Sequence, residues 1–533
     1  MFRKPEAEPA PSEPVAAPET VGSEDAESDQ SRRRRRSYLV QSPSSEDAAD
    51  EAPEQGEEPE IAEAEGGSSS GETGDPDGKQ VAEAGPATPE VVASRQPDDG
   101  TVPRLPERAQ IFHVSEPPRT MAETRLSESF LLNLVAKVMQ SGGTMTPAEI
   151  SDIIKLPKVV CREIITAMTR LMLVEAQGLE SKDIKSDIRY SLSDLGKKWA
   201  LDALNVSQYI GPAPVTLDQF EAQIRRQSIN HEEVHRHELD EAFSHLIIPD
   251  ILKAQLGPAV NSGRSMLLYG EPGNGKTSLA EALGTTFVDV IFLPYAIMVA
   301  NQIIRFFDET LHEPVDLPDG SPEMDARWVA CKRPVVIAGG ELTLPMLDLS
   351  FEHTARFYEA PMHLKALGGI FVLDDFGRQA EEPQAYLNRW IVPLEKGFDI
   401  MSLHTGKKFT VPFDQLVVFS SNMMPEDMGD DAALRRIYFK IHVHSPTRDD
   451  YMQIFKDVCE ATGLPWNQDV MDRFYQDKYE EKGFVTSGAH PGFLVRHIFA
   501  ACRYLDRKPE LSIELLDLAW RNVAASRKRG IRA

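Results

Sequence analysis

The run Ser265-Met266-Leu267-Leu268-Tyr269-Gly270-Glu271-Pro272-Gly273-Asn274-Gly275-Lys276-Thr277 constrains this chain more than any other stretch. It satisfies G-x-x-x-x-G-K-[ST] in full, in the expected context. Met266–Tyr269 reads as a buried strand, and Ser278-Leu279-Ala280-Glu281-Ala282-Leu283 reads as the helix that follows. A strand, a glycine-rich turn and a helix in that order make a loop whose backbone N–H groups can wrap a phosphate chain. Gly270, Glu271, Pro272, Gly273, Asn274 and Gly275 would form the cradle. Lys276 would reach the terminal phosphates, Thr277 would offer its hydroxyl to Mg²⁺, and Ser278 would open the helix.

Two later strands end in the polar residues that such a loop needs. Gly369-Ile370-Phe371-Val372-Leu373-Asp374-Asp375 is apolar until its two carboxylates. Hydrolysis calls for one carboxylate on the metal, assigned to Asp374, and one to orient water, assigned to Asp375. Gln415-Leu416-Val417-Val418-Phe419-Ser420-Ser421-Asn422 is a second buried strand, and its amide would stand beside the γ-phosphate. Asp431-Ala432-Ala433-Leu434-Arg435-Arg436 then places two guanidinium groups before another apolar run. Such groups stabilise a transferring phosphoryl and can come from a neighbouring subunit.

With these elements in this order, residues 230–533 resemble an AAA+ ATPase. Walker A falls at 270–277, Walker B at 370–375, sensor 1 at Asn422 and the arginine-finger pair at Arg435 and Arg436. The strands flanking His404-Thr405-Gly406-Lys407 read as a hairpin. It is similar to the pre-sensor-1 insertion of one AAA+ clade, and Asp374-Asp375-Phe376-Gly377-Arg378 resembles its MoxR-like members. The resemblance implies an α/β fold, a P-loop three-layer core with a C-terminal helical lid. It also implies ATP and Mg²⁺ as cofactors and a homo-oligomeric ring, with a hexamer as the expected count. Three features depart from the family pattern. Asp375 stands where Glu is usual. Lys276 and Asp374 are 98 positions apart, which predicts an insertion at about 295–365. Gly488-Ala489 occupies the place of a sensor-2 arginine, leaving Arg496 as the basic candidate.

Within the insertion, Val299–Leu311 reads as helical, and Phe357-Tyr358 is an aromatic pair that either grips a client in a ring pore or packs in a core. Upstream, three helical runs, two strand-like runs (172–176 and 188–192) and a last helix resemble a winged helix-turn-helix domain over 121–205. A linker is expected at 206–229, the core at 230–445 and the lid at 446–533. Residues 1–120 are expected to be a disordered acidic tail. Of the net charge of −27, residues 1–100 contribute 25 acidic against 9 basic side chains, too little apolar surface accompanying them to offset chain entropy. Arg32–Arg36 interrupts this tail, either as a docking tag or as a solvated charge run.

An acidic chain argues against non-specific nucleic-acid binding. Four scattered cysteines suit a reducing, cytoplasmic setting, and no apolar run is long enough to span a bilayer. The expected activity is ATP hydrolysis that remodels a macromolecular client, with protein preferred over DNA. Two rivals stay open at this stage: a DNA-binding regulator or motor acting through the winged helix, and a nucleotide-gated scaffold that hydrolyses little.

Overall fold

A computed structural model describes residues 114–179, 188–318 and 320–523. The Arg32–Arg36 run and nearly all of the expected tail lie outside the described residues.

The first ordered elements are helices Glu128–Gly142, Pro147–Ile154 and Lys158–Arg170, the antiparallel strands Val174–Leu179 and Ile188–Leu192, and helix Asp194–Val206. Local chemistry sets their starts. The Ser127 and Ser193 hydroxyls accept from the third backbone N–H of their helices. Thr146 and Glu149 form a reciprocal capping box with Pro147 just inside the helix. Leu131, Val135, Ile150, Ile164 and Met168 close one core between the helices.

The stretch expected as a linker is not free. It carries strand Val215–Thr216 and helix Leu217–Arg226, whose Phe220 and Ile224 are fully buried. A two-residue strand is too short to leave a periodic signature in sequence.

The central layer is a five-stranded parallel sheet: β1 (Met266–Tyr269), β2 (Val335–Ala338), β3 (Ile370–Leu373), β4 (Leu416–Ser421) and β5 (Phe439–His442). Their order is β5-β1-β4-β3-β2. Strands buried on both faces by helices need near-continuous apolar runs, and β3 and β4 are buried at every position. Because β2 lies within the expected insertion, part of that insertion belongs to the core.

The remaining inserted residues build β-structure, and the helix expected over Val299–Leu311 does not form. Ala296–Val299 and Gln302–Arg305 instead make a hairpin about Ala300 and Asn301, with φ of 50° and 62°. Two left-handed residues match the right-handed twist of the flanking strands. This hairpin joins a second five-stranded sheet. Its order is Ser350–Glu352, Phe357–Glu359, Gln302–Arg305, Ala296–Val299, Val215–Thr216. Tyr358, 1% exposed, lies inside it, and Phe357 packs edge-on against Tyr209 at 5.7 Å. The aromatic pair is therefore core material and not a pore grip.

The expected hairpin forms from Phe398–Ser402 and Lys408–Pro412. Its tip is tied to the second sheet by the His404 N–H, which donates to Tyr358 Oη at 2.9 Å. At its base Asp399 accepts from Arg389 Nη1 at 2.7 Å and contacts His363 Nε2 at 3.1 Å. The C-terminal helices Arg448–Thr462, Gln468–Tyr475, Ala489–Tyr504 and Ile513–Val523 close their own core on Tyr451, Phe455, Leu494, Ile498 and Trp520. Among the described residues, no helix is long and apolar enough to cross a membrane.

Candidate functional site

The carboxyl ends of β1, β3 and β4 meet at one crevice, where an open parallel sheet presents its ligand groups. The loop leaving β1 turns at Gly270 with φ +143°, and a Cβ there would stand 2.4 Å from the Val443 carbonyl oxygen. Only glycine fits such a position. Gly275, at φ +78°, caps helix Lys276–Gly284.

Lys276 is buried under this arch. Its ammonium donates to the Gly270 and Glu271 carbonyls, both at 3.0 Å, and to Asn422 Oδ1 at 2.7 Å. Desolvation lowers its pKa, and the carboxylates of Asp374 and Asp375 oppose that shift. The Thr277 hydroxyl donates to Asp374 Oδ2 at 2.8 Å. Asn422 completes the set by donating through Nδ2 to Asp375 Oδ1 at 3.0 Å. Five predicted residues from three elements thus form two adjacent hydrogen-bonded sets, Lys276–Asn422–Asp375 and Thr277–Asp374. Its donors suit a hard divalent cation at Thr277–Asp374, since such cations take oxygen ligands.

Asp375 has φ 47°, a left-handed backbone. Asp and Asn tolerate that region better than longer side chains, because they bond locally. Its side chain is 48% exposed and lies 3.8 Å from Arg378 Nε. Sequence reasoning missed Gln379, a buried amide that holds this turn. It accepts from Gly377 N at 2.8 Å and donates towards the Gly339 and Asp374 carbonyls at 3.3 Å. Nothing in its sequence context announces the role.

Arg435 and Arg436 lie at the other end of the sheet. Ser265, just before β1, donates to the Arg436 carbonyl at 3.0 Å. The phosphate loop leaves β1 four residues later, roughly 13 Å away at strand rise. Arg436 is held in its own chain, with Nε 2.8 Å from Glu395 Oε1. Arg435 is exposed and makes no ion pair among the described residues. The structure therefore brings neither arginine to its own phosphate loop.

Among the described residues, the lid reaches the loop through Ser487 and Gly488. Ser487 Oγ donates to the Gly273 carbonyl at 3.1 Å, and the Gly488 N–H donates to Asn274 Oδ1 at 3.3 Å. Arg496 turns back on its own helix, donating to Gly492 O at 3.1 Å and stacking over Phe493 at 5.2 Å. At the end of β5 His442, another residue missed in sequence, packs against Tyr269 at 4.9 Å, and burial lowers its pKa.

Residues 447–522, the helices of this lid, match a family described as "Domain of unknown function (DUF8689)". No curated protein matches the chain. Among solved structures it is similar to the Thermotoga maritima RuvB Holliday junction branch migration motor. That likeness has 10% identity and a TM-score of 0.32, over 54% of this chain and 74% of that one. NtrX from Brucella abortus in complex with ATP is similar at 14% identity and a TM-score of 0.34, over 54% and 62%. Likenesses this distant and partial assign no family.

Proposed function

We propose that the chain is an AAA+ ATPase, an oligomeric, Mg²⁺-dependent enzyme that uses ATP hydrolysis to remodel a protein client. One observation carries the reading: the Asn422 amide bridges Lys276 and Asp375, beside the Thr277–Asp374 pair. The strand order β5-β1-β4-β3-β2 supports it, because β4 sits between the strand that feeds the phosphate loop and the strand that ends in the two carboxylates.

In this mechanism the loop amides of 270–277 wrap the phosphate chain, and Lys276 neutralises its terminal group. Thr277 and Asp374 would hold Mg²⁺, whose charge would offset that of the phosphate. Asp375 accepts a hydrogen bond from the attacking water and aims it, while Asn422 fixes the rotamers of Asp375 and Lys276. The shorter reach of Asp375 predicts slow turnover. Arg435, unpaired within the described chain and at the far end of the sheet, is the better finger for a neighbour's site, which makes assembly a condition of activity.

The N-terminal helices and hairpin form a winged helix that selects the client. Protein is favoured over DNA by exposed apolar groups on this domain, Leu171, Met172, Leu195, Trp199 and Val206, with Met172 72% exposed. Its Lys158–Arg170 helix carries basic Lys158, Arg162 and Arg170 beside one carboxylate, Glu163, which accepts from Met121 N at 2.7 Å. The test is phosphate release measured against protein concentration. Specific activity rises with concentration, Lys276→Ala abolishes it, and duplex DNA leaves it unchanged. Turnover that ignores concentration overturns the assembly requirement, and DNA stimulation with a steep salt dependence overturns the choice of client.

A further inference from the structure

We propose that Asn274 is a positioning residue that couples the phosphate loop to the lid, doing through its amide what a lid cation would otherwise do. The proposal rests on the ATPase reading above and deepens it.

The motif leaves position 274 unspecified, so phosphate geometry does not dictate the residue there. In the structure its side chain faces away from the loop towards two other elements. Nδ2 donates to Ser445 Oγ at 3.3 Å, and Oδ1 accepts from the Gly488 N–H at 3.3 Å. Ser445 lies on the hinge that leaves β5 after His442. Gly488 is the N-cap of helix Ala489–Tyr504, the central helix of the lid. A third bond closes the triangle: Thr486 Oγ1 donates to the hinge carbonyl of Pro446 at 2.8 Å.

Beside it the contact is steric. Ser487 Oγ donates to the Gly273 and Pro272 carbonyls at 3.1 and 3.4 Å. A Cβ added at Gly273 would stand 2.6 Å from Ser487 Oγ and 3.1 Å from the Ala489 Cβ. The start of helix Ala489–Tyr504 therefore rests directly on the Gly270–Thr277 arch. When the arch tightens on a phosphate chain, Asn274 moves with it, and its two partners follow. Among the described residues of the lid, the bonds to the loop come from Ser487 and Gly488, while Arg496 is bonded to its own helix. This gives a role to the segment that matches a family of unknown function: its first-turn contacts read the state of the loop.

The test uses the full chain and three readouts: steady-state phosphate release, binding of a fluorescent ATP analogue, and amide hydrogen exchange of residues 487–495 with and without ATP. In the wild type, ATP slows exchange there. Asn274→Ala removes that protection and lowers kcat about 5- to 30-fold, the effect of one or two weak bonds, while KM moves less than kcat. Asn274→Asp restores both, since a carboxylate accepts from the Gly488 N–H and from the Ser445 hydroxyl. Ser445→Ala, which leaves the loop itself untouched, shows a partial loss of protection at unchanged analogue affinity.

Wild-type protection and kcat in Asn274→Ala overturn the proposal. So does a KM effect larger than the kcat effect, which makes Asn274 a phosphate ligand only. If Asn274→Ala does not fold, Ser445→Ala with full protection overturns it equally. Failure of the ATPase reading looks different: the wild type then neither binds the analogue nor releases phosphate.

Discussion

Asn422→Ala separates chemistry from folding at this site. The substitution deletes a 2.7 Å bond from the Lys276 ammonium and a 3.0 Å bond to the Asp375 carboxylate. Each involves a charged partner and belongs to the class worth about 1.5–3 kcal/mol. Stability loses little of this. Lys276 keeps the Gly270 and Glu271 carbonyls, and Asp375, half exposed, is solvated by water. The expected cost is about 1 kcal/mol, or roughly 2–4 °C in a melt of a domain this size. Turnover loses the full positioning effect. A loss of about 1.5–3 kcal/mol from the transition state lowers kcat roughly 10- to 150-fold. Phosphate release at saturating ATP, paired with a thermal melt, reads both numbers on one preparation. Asn422→Asp sharpens the test. It keeps an acceptor for Lys276 but sets a second carboxylate about 3 Å from Asp375, where like charges favour a shared proton. The acidic limb of its pH–rate profile therefore moves to higher pH. A kcat within twofold of wild type for Asn422→Ala, or an unmoved profile for Asn422→Asp, refutes the assigned role.

Arg435→Ala is expected to melt like the wild type and to turn over poorly alone, yet to regain activity when mixed with Lys276→Ala, whose chains can lend Arg435 to the intact phosphate loops; no recovery on mixing counts against supply in trans. Arg436→Ala loses the Glu395 pair and should cost about 1 kcal/mol in a melt, as partly exposed pairs do. Gly270→Ala drives a Cβ into the Val443 carbonyl; it should abolish binding of the ATP analogue and cost more than about 2 kcal/mol, and wild-type melting and binding would contradict the loop geometry. Burial pushes the Lys137 ammonium down from 10.5 to about 8. Between those values the unfolded chain binds more protons than the folded one, so stability rises with pH across the window and the penalty, at most about 3 kcal/mol, is complete below it. Lys137→Met should raise the melting temperature at pH 7, with the gain shrinking from pH 8 to 10.5; a pH-independent difference would show that the ammonium is not desolvated.

That Lys276, Thr277, Asp374, Asp375 and Asn422 would meet was legible from polar residues set at the ends of apolar strands, and apolar β3 and β4 announce themselves by burial on both faces. The hairpin at 398–412 was legible from its turn. The insertion was not. Ile303, Ile304, Phe306 and Phe307 have spacing that suits a helix, and only Asn301 hints at the left-handed turn that makes them strand. Strand β2 looked like inserted material because its neighbours in space, β3 and the loops around it, are remote in sequence. The sequence offers Arg496 as the lid's basic residue, and no single sequence exposes that its guanidinium bonds its own helix while Ser487 and Gly488 contact the loop.

The short strand Val215–Thr216 has a consequence for synthesis. Its partner in the second sheet, Ile297, follows Val215 by 82 positions, and the whole phosphate loop emerges between them. At about 5–20 residues per second, a nascent chain waits several seconds with Val215, Phe220 and Ile224 uncovered, and the N-terminal helices wait as long for Ala296 and Ile303, which complete their core. The second sheet closes only afterwards, stitching the earlier domain to the later one. Expression fragments that begin after Thr216 would lose an edge strand of the second sheet, so a boundary in this stretch belongs before Val215.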